Sequence, residues 1–315
     1  MPLKHSAIRA WCELRRVPRD AELLEAFKVE GQSASVYRLV WVGKTGPSMI
    51  AKRSRQSTAR VERIVYEEIL PNLPLPTLRY HGSVAEPDGE YWWLFLEDVS
   101  SDEKYLPHIK EHRIAAAQWL GIMNTVASGS PAAACLPERG PGHYLHLLHS
   151  ARQTIQSNFS NPVLNAGHLV LLENILAQCE YLSVHWNELG SACEGIPLTV
   201  VHGDFIRKNV RVRYTQDGIV ILPFDWEKAG WGIPAEDISR VDLPTYWSTV
   251  QEYWPTLTIQ SLNRLINVGK IFRCLVFLDW IAPSLAFASV EQPINDIRRC
   301  ESWLAGLIRT AEWRN

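Results

Sequence analysis

The 315-residue chain has no charge surplus of either sign, because 32 Lys and Arg stand against 34 Asp and Glu, a formal net charge of −2. A general nucleic-acid binder shows a basic excess on one face, so no nucleic-acid partner is expected. No disulfide or zinc framework is visible either. The six cysteines, Cys12, Cys135, Cys179, Cys193, Cys274 and Cys300, are scattered without a CxxC pair and read as reduced thiols. A membrane-length apolar run is lacking too, since the most apolar stretch, residues 274–290, is broken by Asp279 and Pro283. The opening MPLKHSAIRAWCELRR lacks the apolar core of a signal peptide. There is no internal repeat and no low-complexity segment, and a hydrophobic content of 46% excludes an acidic disordered solubiliser. These absences predict a soluble cytoplasmic protein that does not enter a membrane.

Tryptophan is abundant: there are 13, seven of them from Trp226 onward, enough to build an aromatic core or line a pocket. The length suits one large domain or two lobes. Residues 1–28 read as helical. Strands are expected over 35–42 and 48–52 across a Gly43–Pro47 turn, and over 79–84 and 91–96 across Glu86-Pro87-Asp88-Gly89. Between these pairs, Val61, Ile64, Val65, Ile69 and Leu70 carry helical spacing over 57–70, ended by a proline-rich run. Beyond Glu97-Asp98-Val99 the pattern is mostly helical, at 113–126, 145–159 and 170–186. A short strand at 199–201 and a hairpin, 209–214 with 219–224, interrupt the helices. The expected class is therefore α+β, with a small β-rich N-terminal lobe over 1–98 and a larger helical lobe over 99–315.

The most informative stretch is His202-Gly203-Asp204-Phe205-Ile206-Arg207-Lys208-Asn209-Val210, followed at the end of the hairpin by Phe224-Asp225-Trp226-Glu227. Strand ends are where polar side chains emerge from an apolar sheet, so Asp204, Asn209 and Asp225 can converge. Two carboxylates and a carboxamide form a hard-oxygen set suited to Mg²⁺, with positions left for phosphate oxygens and water. Phosphoryl transfer uses such a set, one carboxylate taking the proton of the attacking hydroxyl and the others holding the metal. Isolated aspartates more often cap turns, but this constellation argues for chemistry.

HGDFIRKNV followed by FDWEKAGWGIPAEDIS resembles the aminoglycoside phosphotransferase and choline kinase-like family, relatives of the protein kinases, at His202, Gly203, Asp204, Asn209, Asp225, Trp226, Glu227, Gly232 and Asp237. The resemblance spans roughly residues 20–245. It implies a bilobal protein-kinase-like fold and assigns Asp204 as catalytic base, Asn209 and Asp225 as metal ligands, and Asp237 as an internal support of the loop. It implies Lys52, at the end of Met49-Ile50-Ala51-Lys52, as the phosphate-binding lysine. The next helix offers Glu62, Glu67 and Glu68 as its partner. Glu62, four residues before Tyr66, fits the family pattern best, with Glu67 second. Gly31, Ser33 and Ser35 match the family's short nucleotide loop, and Glu97 to Val99 its adenine-binding hinge. Arg207-Lys208 departs from commoner family residues and adds positive charge that suits a phosphate or an acidic group.

The resemblance implies ATP as phosphoryl donor, with GTP as the alternative, Mg²⁺ as cofactor and a small-molecule hydroxyl as acceptor. After Glu227 nine acids face nine bases. A pocket for a polycationic aminoglycoside should carry an acidic surplus, which this balance lacks. Trp231, Tyr246, Trp247, Tyr253, Trp254, Phe277 and Trp280 suit stacking on a partly apolar or cationic acceptor, although core packing is the commoner use of such residues. The rival reading is a catalytically silent kinase-like nucleotide-binding protein. A protein kinase is disfavoured because HGD replaces HRD and no APE-ended activation segment follows. His143, His146 and His149 lie three apart but have no completing carboxylate or thiolate.

Overall fold

The computed structural model describes residues 5–16, 24–28, 35–41 and 48–310. Its helices are α1 (Ser6–Arg15), α2 (Gln56–Ile64), α3 (Lys110–Ala127), α4 (Pro141–Ser157), α5 (Ala166–Val184), α6 (Trp186–Ser191), α7 (Ala235–Ile238), α8 (Leu243–Val250), α9 (Ile259–Ile281) and α10 (Glu291–Thr310). Its strands are β1 (Leu24–Lys28), β2 (Ser35–Trp41), β3 (Met49–Arg55), β4 (Tyr80–Ala85), β5 (Tyr91–Glu97), β6 (Glu103–Lys104), β7 (Glu138–Arg139), β8 (Thr199–Val201), β9 (Val210–Thr215), β10 (Gly218–Pro223) and β11 (Gly230–Gly232). The class is α+β, a β-rich N-terminal part followed by a mainly helical remainder. Among the described residues no helix is long and apolar enough to cross a membrane. The chain divides into two compact units.

The first unit comprises Met1–Ala115, Ser130–Pro137 and Asp204–Ala229. An antiparallel sheet in the order β1-β2-β3-β5-β4 forms its body. The period of two along β3 decides which side chains face which way. Met49 and Ala51 join Trp93, Phe95, Leu39 and the buried face of α1 (Ala7, Ile8, Ala10, Trp11, Cys12) in one apolar cluster. Lys52 falls on the opposite face, where α2 packs. Burying five apolar side chains makes α1 part of the core, although its mean hydropathy is low.

The expected helix over 1–28 is too long. Helix α1 stops at Arg16, which takes the left-handed conformation (φ 54°), and Leu24–Lys28 pairs with Tyr37–Trp41 as an edge strand. Ladder hydrogen bonds override the helical look of Leu-Glu-Ala-Phe-Lys, as strand preference depends on neighbours more than on the residues themselves. The expected 57–70 helix is present with altered winding. It passes from α2 into a wider π turn over Val65–Ile69 and a tight turn over Leu70–Asn72. The Gly43–Pro47 turn lies outside the described residues.

The β9–β10 hairpin also belongs to this unit. Its two-residue loop, Gln216-Asp217, lies between Thr215 and Gly218, which pair, and Gly218 has φ 123°, a conformation that disfavours any side chain. Strand β6 adds to the outer side of β9 through Glu103 and Lys104. This strand has two residues, too few for a periodic signal.

The second unit comprises Ala116–Gly129, Glu138–Gly203 and Gly230–Asn315. Helices α4, α5, α7, α8 and α10 gather around one another and α9. Tyr144 stacks on Phe272 with ring centroids 3.8 Å apart, and its hydroxyl donates to Glu236 at 3.1 Å. Buried Asn124 ties three segments together. It donates to the Val200 carbonyl at 3.0 Å, accepts from Tyr246 at 3.0 Å, and its own carbonyl accepts from Thr199 at 2.7 Å. The small sheet β7-β11-β8 closes this unit. Of the aromatic residues considered for stacking, Tyr246 and Trp254 are core, whereas Tyr253 and Trp280 are 67% and 64% exposed.

Gly269 sits where α9 crosses α7, and any Cβ there would overlap the Ala235 carbonyl. Helix α7 carries Asp237, so the crossing must stay close. Gly269→Ala is expected to destabilise the protein by about 1–3 kcal/mol through overpacking. The expected readout is a lower urea midpoint with an unchanged slope.

Candidate active site

Lys52 is 6% exposed and Glu62 is fully buried. The buried positions Ala59, Glu62, Tyr66 and Ile69 run down one stripe of α2 and the π turn, which aims Glu62 at the sheet face where Lys52 stands. The Lys52 ammonium donates to Glu62 Oε1 at 2.9 Å. It also bonds the Asp225 carboxylate and lies 3.6 Å from Glu227 Oε2. Glu67 turns elsewhere, to Arg63 at 2.9 Å and to the Tyr80 hydroxyl at 2.7 Å.

Burial opposes the charge on Lys52, but Glu62, Asp225 and Glu227 together outweigh it and raise its pKa. Burial pushes Glu62 up to about 7, with Lys52 opposing and Asp225 adding to the rise. Three carboxylates around one ammonium leave this spot short of positive charge.

The hairpin register explains how the remaining groups are placed. Val210 pairs with Pro223, and the Phe224 amide donates to the Asn209 carbonyl at 2.9 Å. Asn209 and Asp225 therefore emerge at the same end of the hairpin. Asp225 takes φ 66°, a left-handed conformation costly for a residue with a Cβ, and the buried Trp226 follows it in a short turn. Asn209 is 3% exposed. Its Nδ2 donates to Asp204 Oδ2 at 2.8 Å and to the Asp204 carbonyl at 3.1 Å. Lys208 Nζ reaches the same carboxylate oxygen at 3.1 Å.

Lys52, Glu62, Asp225 and Glu227 thus form one cluster of the first unit, and Asp204, Asn209 and Lys208 another. Glu97 ends β5, its carboxylate accepting from the Arg79 amide at 3.1 Å and from Arg213 at 2.7 Å. Val99 is buried and its carbonyl accepts from the Asp102 amide at 3.1 Å. Ser35 opens β2 opposite Arg53. Gly31 and Ser33 lie outside the described residues. Glu227 was given no role of its own from the sequence, and the positive charge of Lys208, expected to suit a phosphate or an acidic group, meets the Asp204 carboxylate instead. Glu227 belongs to the Asp-Trp-Glu triplet itself, and Lys208 lies four residues after Asp204, so both signals were present.

In the second unit Asp237 is 1% exposed. It accepts from the His202 amide at 2.6 Å and from the Gly203 amide at 3.1 Å, which anchors the segment leading to Asp204. Among the described residues no group of three or more His, Cys, Asp or Glu side chains is arranged to hold an ion. His143 lies against Arg139, and burial together with that charge brings its pKa down to about 4.

The family model described as the phosphotransferase enzyme family matches residues 27–259. The chain belongs to that family. No curated protein matches the sequence. Among solved structures, choline kinase from Cryptosporidium parvum Iowa II is 14% identical with a TM-score of 0.62, covering 92% of this chain and 91% of that one. The GDP complex of wild-type aminoglycoside 2′-phosphotransferase-IIIa is 12% identical with a TM-score of 0.61, covering 90% of this phosphotransferase and 94% of the other. The microcompartment-associated aminopropanol kinase is 13% identical with a TM-score of 0.60, covering 95% of each chain. At these identities the likeness shows a shared kinase-like fold.

Asp237→Asn would turn an amide N–H toward a backbone donor in a buried site. The expected cost is about 1–3 kcal/mol, read as a lower denaturant midpoint together with faster amide exchange at His202 and Gly203.

Proposed function

We propose that this phosphotransferase is a small-molecule kinase that moves the γ-phosphoryl group of ATP to a hydroxyl. The observation that supports this most is a buried ammonium, Lys52, held by Glu62 and Asp225 in the same compact unit as the Asp204–Asn209 pair. Lys52 offers a point charge to the α- and β-phosphates, and Glu62 keeps it from collapsing elsewhere. Asp204 takes the hydroxyl proton as the acceptor oxygen bonds to phosphorus and the bond to the β–γ bridging oxygen breaks. Asn209 and Lys208 fix the orientation of that carboxylate.

Asp225 and Asn209 are the residues that would hold Mg²⁺. The donor set fits: Asn209 spends its nitrogen on Asp204, which leaves it an oxygen to offer, and Asp225 already accepts a cation, the Lys52 ammonium. Mg²⁺ typically takes one or two protein ligands and completes its shell with phosphate oxygens and water. Bound there, it would neutralise charge on the β- and γ-phosphates. The Glu97 amide and the Val99 carbonyl are engaged within the chain, so we assign the Glu97 carbonyl and the Val99 amide to the nucleotide base. ATP is taken as donor, and GTP is the alternative, since GDP is the nucleotide bound by aminoglycoside 2′-phosphotransferase-IIIa. Reduced thiols and the use of ATP suit a cytoplasmic setting.

A screen of hydroxylated metabolites and antibiotics for ATP-dependent mass gain is expected to find an acceptor. On it, Asp204→Asn should lower turnover about 10²–10⁴-fold while nucleotide affinity stays nearly constant. Turnover within about threefold of wild type would remove Asp204 as base. Nucleotide binding without modification of any acceptor would instead identify a silent binding protein.

A further inference from the structure

The second unit contains a cavity of about 960 Å³ between the helical segments that follow Asp237, α9 and α10. Four of its lining residues are cationic, Arg240, Lys270, Arg273 and Arg299, and one is acidic, Asp296. Asp296 is already committed, since it is paired with Arg299 and accepts from Gln292 at 3.1 Å. Lys270 donates to the neutral Asn267 Oδ1 at 2.9 Å.

Arg273 is the telling residue. Its Nε and Nη1 are shielded from solvent, and among the described residues neither meets a hydrogen-bond acceptor. Guanidinium donors removed from water without acceptors are costly, and a planar anion accepting two N–H bonds is the group that satisfies them best. The nearby carboxylate that Arg273 acts on electrostatically is Asp237, whose two oxygens already accept from His202 and Gly203. The remaining wall combines apolar side chains, Phe277, Trp303 and Leu307, with neutral polar ones such as Ser302 and Thr310.

We infer that this cavity binds a small organic anion, with a carboxylate or phosphate against Arg273 and an apolar body against Phe277 and Trp303. The site takes its specificity from charge of the opposite sign to that needed for a polyamine or a quaternary ammonium. This assignment stands apart from the phosphotransfer reading, because it concerns what occupies the cavity in the absence of nucleotide.

The test uses three probes sharing one ring: 4-hydroxyphenylacetate, its neutral amide, and tyramine. Binding to the full chain without nucleotide is followed by calorimetry and ligand-detected NMR. The anion is expected to bind at least about tenfold tighter than the amide or the amine, the scale of hydrogen bonds to a charged group. Arg273→Met should weaken it at least about tenfold, with Arg273→Lys recovering part of the loss. Lys270 is exposed, so Lys270→Gln should fold normally and weaken the anion by about two- to fivefold. Equal or tighter binding of tyramine, absence of saturable binding by the anion, or unchanged affinity in both the Arg273→Met and Lys270→Gln proteins would overturn the assignment. Adding ATP then separates the sources of such a ligand. A phosphorylated probe marks the anion as an acceptor, and an unmodified bound probe marks it as an effector, with the binding site standing in both cases.

Discussion

The Lys52–Glu62 pair is the interaction on which the first unit is organised. A charge pair buried this deeply gives little net stability, because the cost of removing both ions from water is comparable with their attraction. Removing one partner is another matter, costing about 3–5 kcal/mol when a charge is left alone. The sheet, the winding of α2 and the left-handed Asp225 all serve to bring carboxylates to one ammonium. Packing alone would favour a methionine at position 52. A residue that is expensive to bury and held from several directions makes sense when its charge has work to do on a polyanionic ligand.

How much of this could be read from the chain follows from where the signals lay. That Asn209 and Asp225 emerge at one end of a hairpin was legible, because a hairpin converts sequence spacing into spatial proximity and the register from Val210–Pro223 to Thr215–Gly218 leaves little freedom. Glu62 was picked out by its place four residues before Tyr66, and both fall on one buried stripe with Ala59 and Ile69. Strand β1 was not, because five residues with helical preferences become a strand only when β2 is alongside. The π turn after Ile64 leaves no mark that the periodicity of Val61, Ile64 and Val65 would disclose. The loop holding Gly31 and Ser33 lies outside the described residues.

Tryptophan content illustrates the limit of composition. Trp226 is wholly buried beside Asp225, and Trp254 belongs to the helical core, whereas Trp280 is largely exposed. Residue type and number alone do not separate these fates. Burial of one Trp can fix the turn beside a charged cluster, while another of the same type stands in solvent. The polar counterpart is Asn124, with nothing in its neighbourhood of sequence to mark it, yet it joins β8, α8 and its own helix through three hydrogen bonds.

Near-neutrality, finally, is an average over two opposed surroundings. Around Lys52 three carboxylates face one ammonium, a local deficit of positive charge that suits a divalent cation. Around the cavity of the second unit four cations face one carboxylate, a surplus that suits an anion. The bases concerned, at positions 240, 270, 273 and 299, are spread over 60 residues and offset in any sequence count by acids that do not line the cavity, such as Asp279 and Glu301. Helical periodicity gathers them: Lys270 and Arg273 are three apart on α9, and Asp296 and Arg299 three apart on α10. An even charge balance after Glu227 therefore argues against a strongly acidic pocket but carries no information on where the bases converge. That convergence comes from the packing of α9 against α7 and α10, which the close approach at Gly269 permits.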